Sequence, residues 1–215
     1  MRDIVIIGAG GLAREIKFLL EEINSCEPQY NILGYLISDL KKISEFDSKE
    51  EILGDFNWFN HRSSEINAVI GIGTPEYRIK VSNTIKENYP HVIFPSIIHP
   101  NVIYDKKTCV FEEGTVICAS NVFTVNTTVR KFSLVNLNCT IGHESEIGFG
   151  SVINPTCSIS GGVKISEGVL VGTGAQILQY LTIGENSVIG SGAVVTKDVP
   201  ASVTVVGIPA KPLGR

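Results

Sequence analysis

His143 and Glu144 stand together at the end of the stretch Asn136-Leu137-Asn138-Cys139-Thr140-Ile141-Gly142-His143-Glu144. A histidine whose imidazole is oriented by a carboxylate is the usual construction of a general base at neutral pH. A lone histidine on an outer edge is ordinarily only solvated. The adjoining Glu144, and the Asn136 amide seven residues earlier, set this one apart. A second group lies at the start of the chain, in Gly8-Ala9-Gly10-Gly11. Gly8-x-Gly10-x-x-Ala13 has the spacing that lets a phosphate approach backbone N–H groups at a helix N-terminus. Such a turn would hold a dinucleotide or one nucleotide diphosphate, or the glycines merely permit a tight strand–helix turn. The acidic partner expected at the end of the second strand is Asp39, at a longer spacing than usual. Gly73 and Thr74 follow the next buried strand and complete this group.

The elements that position His143 are set by a six-residue beat. From Phe111 to Val195 every sixth residue is a large apolar one, fifteen in succession, and all but two are Val or Ile. Neither a helix nor an alternating strand selects one residue in six. A hexapeptide solenoid does, with three hexads closing one triangular coil of 18 residues. The apolar residue points to the axis, and so does the position two before it, which is small: Thr115, Asn121, Thr127, Ser133, Cys139, Ser145, Ser151, Cys157, Ala175, Ser187 and Ala193. Gly142, Gly148, Gly172, Gly184 and Gly190 directly follow the apolar residue, where turning a corner is expected to demand unusual dihedrals. The beat points Cys139 inward and His143 outward. It stacks Cys157 on Cys139, Asn154 on Asn136, and Gly161 beside His143. It leaves no room for a long insertion. It does not give the handedness of the coil.

Before residue 97 the rhythm is different. Strands at 3–7, 32–37, 68–72 and 92–94 alternate with helices at 12–23 and 76–88, a βαβ pattern with a parallel sheet. The sequence thus divides into an α/β unit, 1–96, and an all-β solenoid, 97–215. The unit is short for two mononucleotide halves, which favours one nucleotide diphosphate over a dinucleotide. The net charge of −4 gives no sign of a nucleic-acid partner, and no apolar run approaches a membrane span. Five cysteines without a C-x-x-C pair fit reduced thiols in the cytoplasm. A three-histidine zinc site on the solenoid finds little support, since only His143 lies within the regular repeats and His99 at their start. A non-catalytic scaffold would have no need of the His–Glu pair.

The opening IVIIGAGG, the Asn-x-x-Cys-x-Ile-x-His-Glu segment and the ending Gly190-Ser191-Gly192-Ala193 through Val206-Gly207-Ile208-Pro209 together resemble the sugar-nucleotide N-acetyltransferases and sialic-acid O-acetyltransferases, over nearly the whole chain. The resemblance implies a Rossmann-like N-terminal domain and a left-handed parallel β-helix. It implies direct acetyl transfer from acetyl-CoA, without a metal and without an acyl-cysteine. His143 would be the base, Glu144 its orienting partner, and Asn136 a substrate or positioning contact. Acetyl-CoA would lie along the helix against a neighbouring subunit, near Gly161, Gly174, Gly192 and Asn154, with Lys197 and Lys211 toward its phosphates and a backbone N–H near Gly161 facing the thioester oxygen. The nucleotide sugar would bind at Gly8, Gly10, Gly11, Asp39, Gly73 and Thr74. The expected assembly is a homotrimer with sites between subunits. The expected acceptor is the amine of a UDP- or dTDP-linked amino-deoxy sugar for surface-glycan (lipopolysaccharide or O-antigen) synthesis, with a sialic-acid hydroxyl as the alternative. Many relatives carry a second histidine where this chain has Ser151-Val152-Ile153-Asn154-Pro155.

Overall fold

The computed structural model describes residues 1–38 and 43–214. The chain begins with β1 (Arg2–Ile7), α1 (Gly11–Cys26), β2 (Tyr30–Leu36), β3 (Ile52–Gly54), β4 (Ile66–Ile70), α2 (Pro75–Asn88) and β5 (Val92–Ile93). They form a parallel sheet in the order β3-β2-β1-β4-β5. The short β3 joins this sheet from a stretch in which the sequence shows no strand signal. The order reverses direction between β1 and β4, so the crevice at their C-terminal ends is the natural ligand position of the sheet.

From Ile97 onward the chain winds as a triangular solenoid. Two-residue strands pair in parallel at an offset of 18, as in Leu134↔Val152, Thr140↔Ser158 and Thr128↔Glu146. One face is built on Ile117, Val135, Ile153, Val171 and Ile189, a second on Phe123, Ile141, Ile159, Ile177 and Val195, and a third on Phe111, Val129, Ile147, Ile165 and Ile183. These residues fill a continuous axial core. Tyr104, Phe111 and Phe123 close its first end edge to face, with ring centroids 5.0 Å apart. The small inward residues are all buried, and several have a further task. Ser145 Oγ donates to the Ser160 carbonyl at 2.9 Å, Ser151 Oγ to Ser166 at 2.8 Å, and Asn121 both donates to Cys118 O and accepts from Cys139 N at 2.8 Å. A short polar side chain at this position supplies partners for corner backbone that would otherwise be buried unpaired.

The glycines after each apolar residue have a different cause from the one expected. Left-handed dihedrals fall two positions later, at Glu144, Gly150, Gly174, Asn186 and Gly192. Gly142 and Gly172 are there for space: a Cβ on either would come within 2.5 Å of the backbone nitrogen of the next coil, Gly161 or Ser191. Close stacking of coils, not backbone dihedral freedom, selects glycine at those positions.

The two halves are packed together. Ile97, Val116, Leu134 and Val152, the outward residues of the first face, are fully buried in one cluster with Ile16, Leu19, Leu20 and Ile23 of α1. The outward residues of the other faces are mostly polar, as in Thr140, Ser158, Gln176, Lys164 and Thr182. Ile79 of α2 lies against Gly150 and Gly168 on the edge between the third and first faces. Arg78 completes the joint. It is fully buried, and its guanidinium donates to Phe132 O in the solenoid, to Ile70 O at 2.8 Å and to Ile72 O at 3.1 Å. Burial without a carboxylate partner lowers its pKa to about 10, so it stays charged at pH 7.

Candidate functional site

His143 lies on the edge between the second and third faces, the vertex opposite the face that α1 covers. Its imidazole rests on Gly161 of the next coil. A Cβ at Gly161 would strike Nε2 and come within 2.5 Å of Cε1, so only glycine leaves the ring this seat. The backbone fixes the same register, since Gly162 N donates to His143 O at 2.7 Å. Glu144 takes a left-handed φ of 62°, and its Oε2 is 3.8 Å from His143 Nδ1. That is ion-pair range, longer than a hydrogen bond. Nδ1 faces the carboxylate, and Nε2 lies over Gly161. The Gly161 N–H makes no hydrogen bond among the described residues.

Repeating at 18, the column His143, Gly161, Gln179, Lys197 climbs this edge. Each step is one strand spacing, so Lys197 sits about 14 Å above His143. There it borders a cavity of about 300 Å³ with Lys211 of the C-terminal hairpin, lined also by Val195, Pro209 and Pro212. The structure therefore brings Gly161 and Lys197 onto His143's edge and puts the two lysines in one cavity.

It does not bring the other expected residues there. Asn136 and Asn154 form a column on the edge between the first and second faces, and Gly174 and Gly192 belong to the same edge. Within one chain, Asn136 cannot join His143 and Glu144, and Gly174, Gly192 and Asn154 cannot line one groove with Gly161. Asn136 is buried. Its Oδ1 accepts from Leu137 N, and the residue borders a cavity of about 110 Å³ together with Glu15 and Phe18 of α1, His99 and Leu137. Cys139 is fully buried, with its Sγ donating to Asn154 O at 3.2 Å. The neighbouring Cys157 sulfur and burial hold its thiol well above the ordinary range, which leaves no thiolate to act as nucleophile.

In the α/β unit a cavity of about 310 Å³ opens at the sheet's switch point between β1 and β4. Gly8, Ala9, Ile37, Ser38, Gly71, Ile72, Gly73 and Tyr77 line it, which places Gly8 and Gly73 as expected. Gly8 sits so close to β4 that a Cβ would meet Gly71 O at 2.9 Å. Asp39 lies outside the described residues. Gly10, Gly11 and Thr74 do not line the cavity: Gly10 and Thr74 cap α1 and α2, and Gly11 is exposed on the first turn of α1. The N-terminus of α1 already has an anion. Asp47 Oδ1 accepts from Gly10 N at 3.3 Å and pairs with Arg14. The Ser44 backbone N–H, its hydroxyl, Arg14 and Gly10 hold the Asp47 carboxyl below the usual carboxylate range. A protein carboxylate thus occupies the phosphate position expected at Gly10.

The Asp47 contact at the α1 N-terminus and the Arg78 joint were not legible in the sequence. No helix among the described residues is long and apolar enough to cross a membrane, and no group of three His, Cys, Asp or Glu there could hold a metal ion.

Residues 3–85 match the family model described as the PglD N-terminal domain, and residues 162–197 match that of the bacterial transferase hexapeptide, six repeats. Comparison with curated proteins gives no match. Among solved structures, the chain is 25% identical to the acetyltransferase domain of PglB from Neisseria gonorrhoeae FA1090 in complex with acetyl coenzyme A, covering 99% of each chain with a TM-score of 0.84. It is 26% identical to WeeI from Acinetobacter baumannii AYE, covering 99% of this chain and 100% of that one at a TM-score of 0.84. PerB from Caulobacter crescentus, in complex with CoA and GDP-perosamine, shares the fold at 23% identity and a TM-score of 0.84, over 99% of this chain and 97% of that one. With its PglD-type N-terminal domain on a left-handed β-helix of hexapeptide repeats, the chain is an acetyltransferase, similar in sequence and fold to the sugar N-acetyltransferases.

Proposed function

We propose that the protein transfers the acetyl group of acetyl-CoA to the amino group of a UDP- or dTDP-linked amino-deoxy sugar, in the cytoplasm, for surface-glycan synthesis. The observation that carries this reading is the imidazole of His143 seated on Gly161, with Glu144 at Nδ1 and Nε2 free. The sugar amine attacks the thioester carbonyl carbon while Nε2 takes its proton. The tetrahedral intermediate's oxyanion accepts from the Gly161 N–H. Collapse breaks the C–S bond, and the CoA thiolate recovers the proton from the imidazolium. Glu144 stabilises that cation by closing about 1 Å to hydrogen-bond distance. No cysteine enters the path.

The donor's phosphates lie at the Lys197 and Lys211 cavity and its thioester at Gly161, along one edge. The nucleotide occupies the Gly8–Gly73 cavity. PerB, whose complex holds CoA and GDP-perosamine, supports a nucleotide-sugar acceptor. The face that α1 covers lies opposite the His143 edge, and in our reading the working site is composite. In our reading a homotrimer sets the His143 edge of one copy against the Asn136 edge and α1 of the next, which is how Asn136, Asn154, Gly174 and Gly192 come to share the site.

Thiol release from acetyl-CoA is the decisive assay. It should be run against UDP-, dTDP- and GDP-linked amino sugars, with sialic acid and hydroxyl sugars as controls. Turnover confined to the amino sugars is expected. Turnover only with hydroxyl acceptors, or with none, would reject the proposal. Light scattering at micromolar protein should give three times the 23.3 kDa chain mass, and a monomer would reject the composite site.

A further inference from the structure

Gly161 and Gly162 form a flat step on the His143 edge, and an aromatic ring lies on each. His143 reaches Gly161 from the coil below. Tyr180 reaches Gly162 from the coil above, where a Cβ would come within 2.6 Å of Tyr180 Cε1. The two rings thus flank one dipeptide, whose Cα atoms are about 3.8 Å apart.

Tyr180 is anomalous in two respects. It is 68% exposed, and it takes a left-handed φ of 61°. Positive φ in a bulky residue is an outlier that asks for a reason. Phe132, the other aromatic residue at such a turn, has one: it is buried, packed edge to face on Phe94 and Phe149. Tyr180 has no such burial. A glycine would hold this turn without strain.

The position explains what the packing does not. Gln179 stands in the column between Gly161 and Lys197, and Leu178 and Tyr180 flank it, 42% and 68% exposed. A donor whose thioester is at Gly161 and whose phosphates are at Lys197 and Lys211 must pass between those two side chains. We propose that Tyr180, with Leu178 opposite, walls the path of the donor's pantetheine arm, its ring packing on the methylene and dimethyl carbons. This rests on the reading of acetyl-CoA as donor along this edge. Tyr180 is on this view a donor-binding residue in a strained conformation.

Calorimetric titration of CoA, which needs no acceptor, tests it. Tyr180→Gly should weaken CoA binding at least tenfold without lowering the melting temperature, because glycine relieves the φ. Tyr180→Phe should bind CoA within twofold of the unaltered protein, and the acceptor KM should be unchanged in both variants. If the unaltered protein fails to bind CoA, the donor assignment itself falls. If it binds and Tyr180→Gly binds equally well, Tyr180 is no part of the path. A shift confined to the acceptor KM, or a loss of affinity that accompanies a changed mass in light scattering, would likewise overturn the proposal.

Discussion

Gly161→Ala tests the His143 seat together with the oxyanion N–H that adjoins it. The φ of Gly161 is not left-handed, so alanine is conformationally allowed there. The three atoms nearest an added Cβ all belong to the His143 ring, with Cε1 at 2.5 Å and Cδ2 at 2.8 Å. Ordinary contact begins near 3.4 Å, so the ring must retreat by about 1 Å. His143 has room to do so, because half of its side chain is exposed. Leaving its rotamer costs about 1 kcal/mol, and restricting the unfolded chain by Gly→Ala returns about 0.4–1 kcal/mol. Stability should therefore be nearly unchanged, with a melting temperature within about 3 °C of the parent. Catalysis should not be spared. A misplacement of about 1 Å at a proton-transfer group costs on the order of 10²-fold, and the added methyl also crowds the N–H assigned to the oxyanion. The assay is kcat by thiol release beside a thermal melt. Turnover within about threefold of the parent would refute the seat. A collapse of the melt would show that the ring could not move, contrary to its exposure.

Three other outcomes follow from the same coordinates. His143→Ala should lower kcat by about 10²–10⁴ with the fold intact, as general bases do; near-normal turnover would remove His143 from its role. Arg78→Met should abandon three buried carbonyls, Phe132 O, Ile70 O and Ile72 O, and cost roughly 3 kcal/mol. That corresponds to about 6–12 °C in the melt, and a shift under about 2 °C would show that the clamp carries no load. Asp47 has a depressed folded pKa, so its contact with Gly10 and Arg14 contributes stability above the ordinary carboxylate value of 3.8 and loses it as pH falls through the folded pKa. The protection factor of the Gly10 amide, observed against intrinsic exchange at the same pH, should therefore fall in Asp47→Ala at pH 7, and unchanged protection would sink the cap.

The solenoid was legible because its core obeys one rule at every coil. The inward residues, the columns Cys139–Cys157 and Asn136–Asn154, and the seating of His143 beside Gly161 all follow from counting by 18. The same count separates Asn136 from His143, since seven residues are one hexad and one more, which carries the chain past a corner. Grouping them by nearness in sequence overlooked this. Which face the N-terminal unit covers was also open to reading. The residues just before the apolar beat are Val116, Leu134, Val152, Leu170 and Val188 on one face, but mostly polar on the others, with Thr140, Ser158 and Gln176 on one and Thr128, Glu146, Lys164 and Thr182 on the last. Burial of Val116, Leu134 and Val152 against α1 is the outcome that pattern allows. Arg78 and Asp47 left no such trace. Arg78 is held by carbonyls, which every residue has, and Asp47 reaches Gly10 from 37 residues away. Their partners exist only once the backbone is folded.

That α1 covers the face opposite His143 bears directly on how the reaction can be assembled. The apolar outward residues of the first face are satisfied within the chain, so they do not call for a second copy. The His143 edge is different. Val125, Leu178 and Tyr180 are 43%, 42% and 68% exposed around the base, on the edge away from α1. A base so open to water would be a poor site for transfer to an amine, because water competes for the thioester and screens Glu144 from the imidazolium. Something must dry it. The donor's arm lying along the column supplies part of that cover, and the Asn136 edge of a second copy supplies the rest in our reading. On that view the 3.8 Å gap between Glu144 and His143 belongs to the open edge, and its closure to a hydrogen bond is what assembly and donor binding contribute to catalysis.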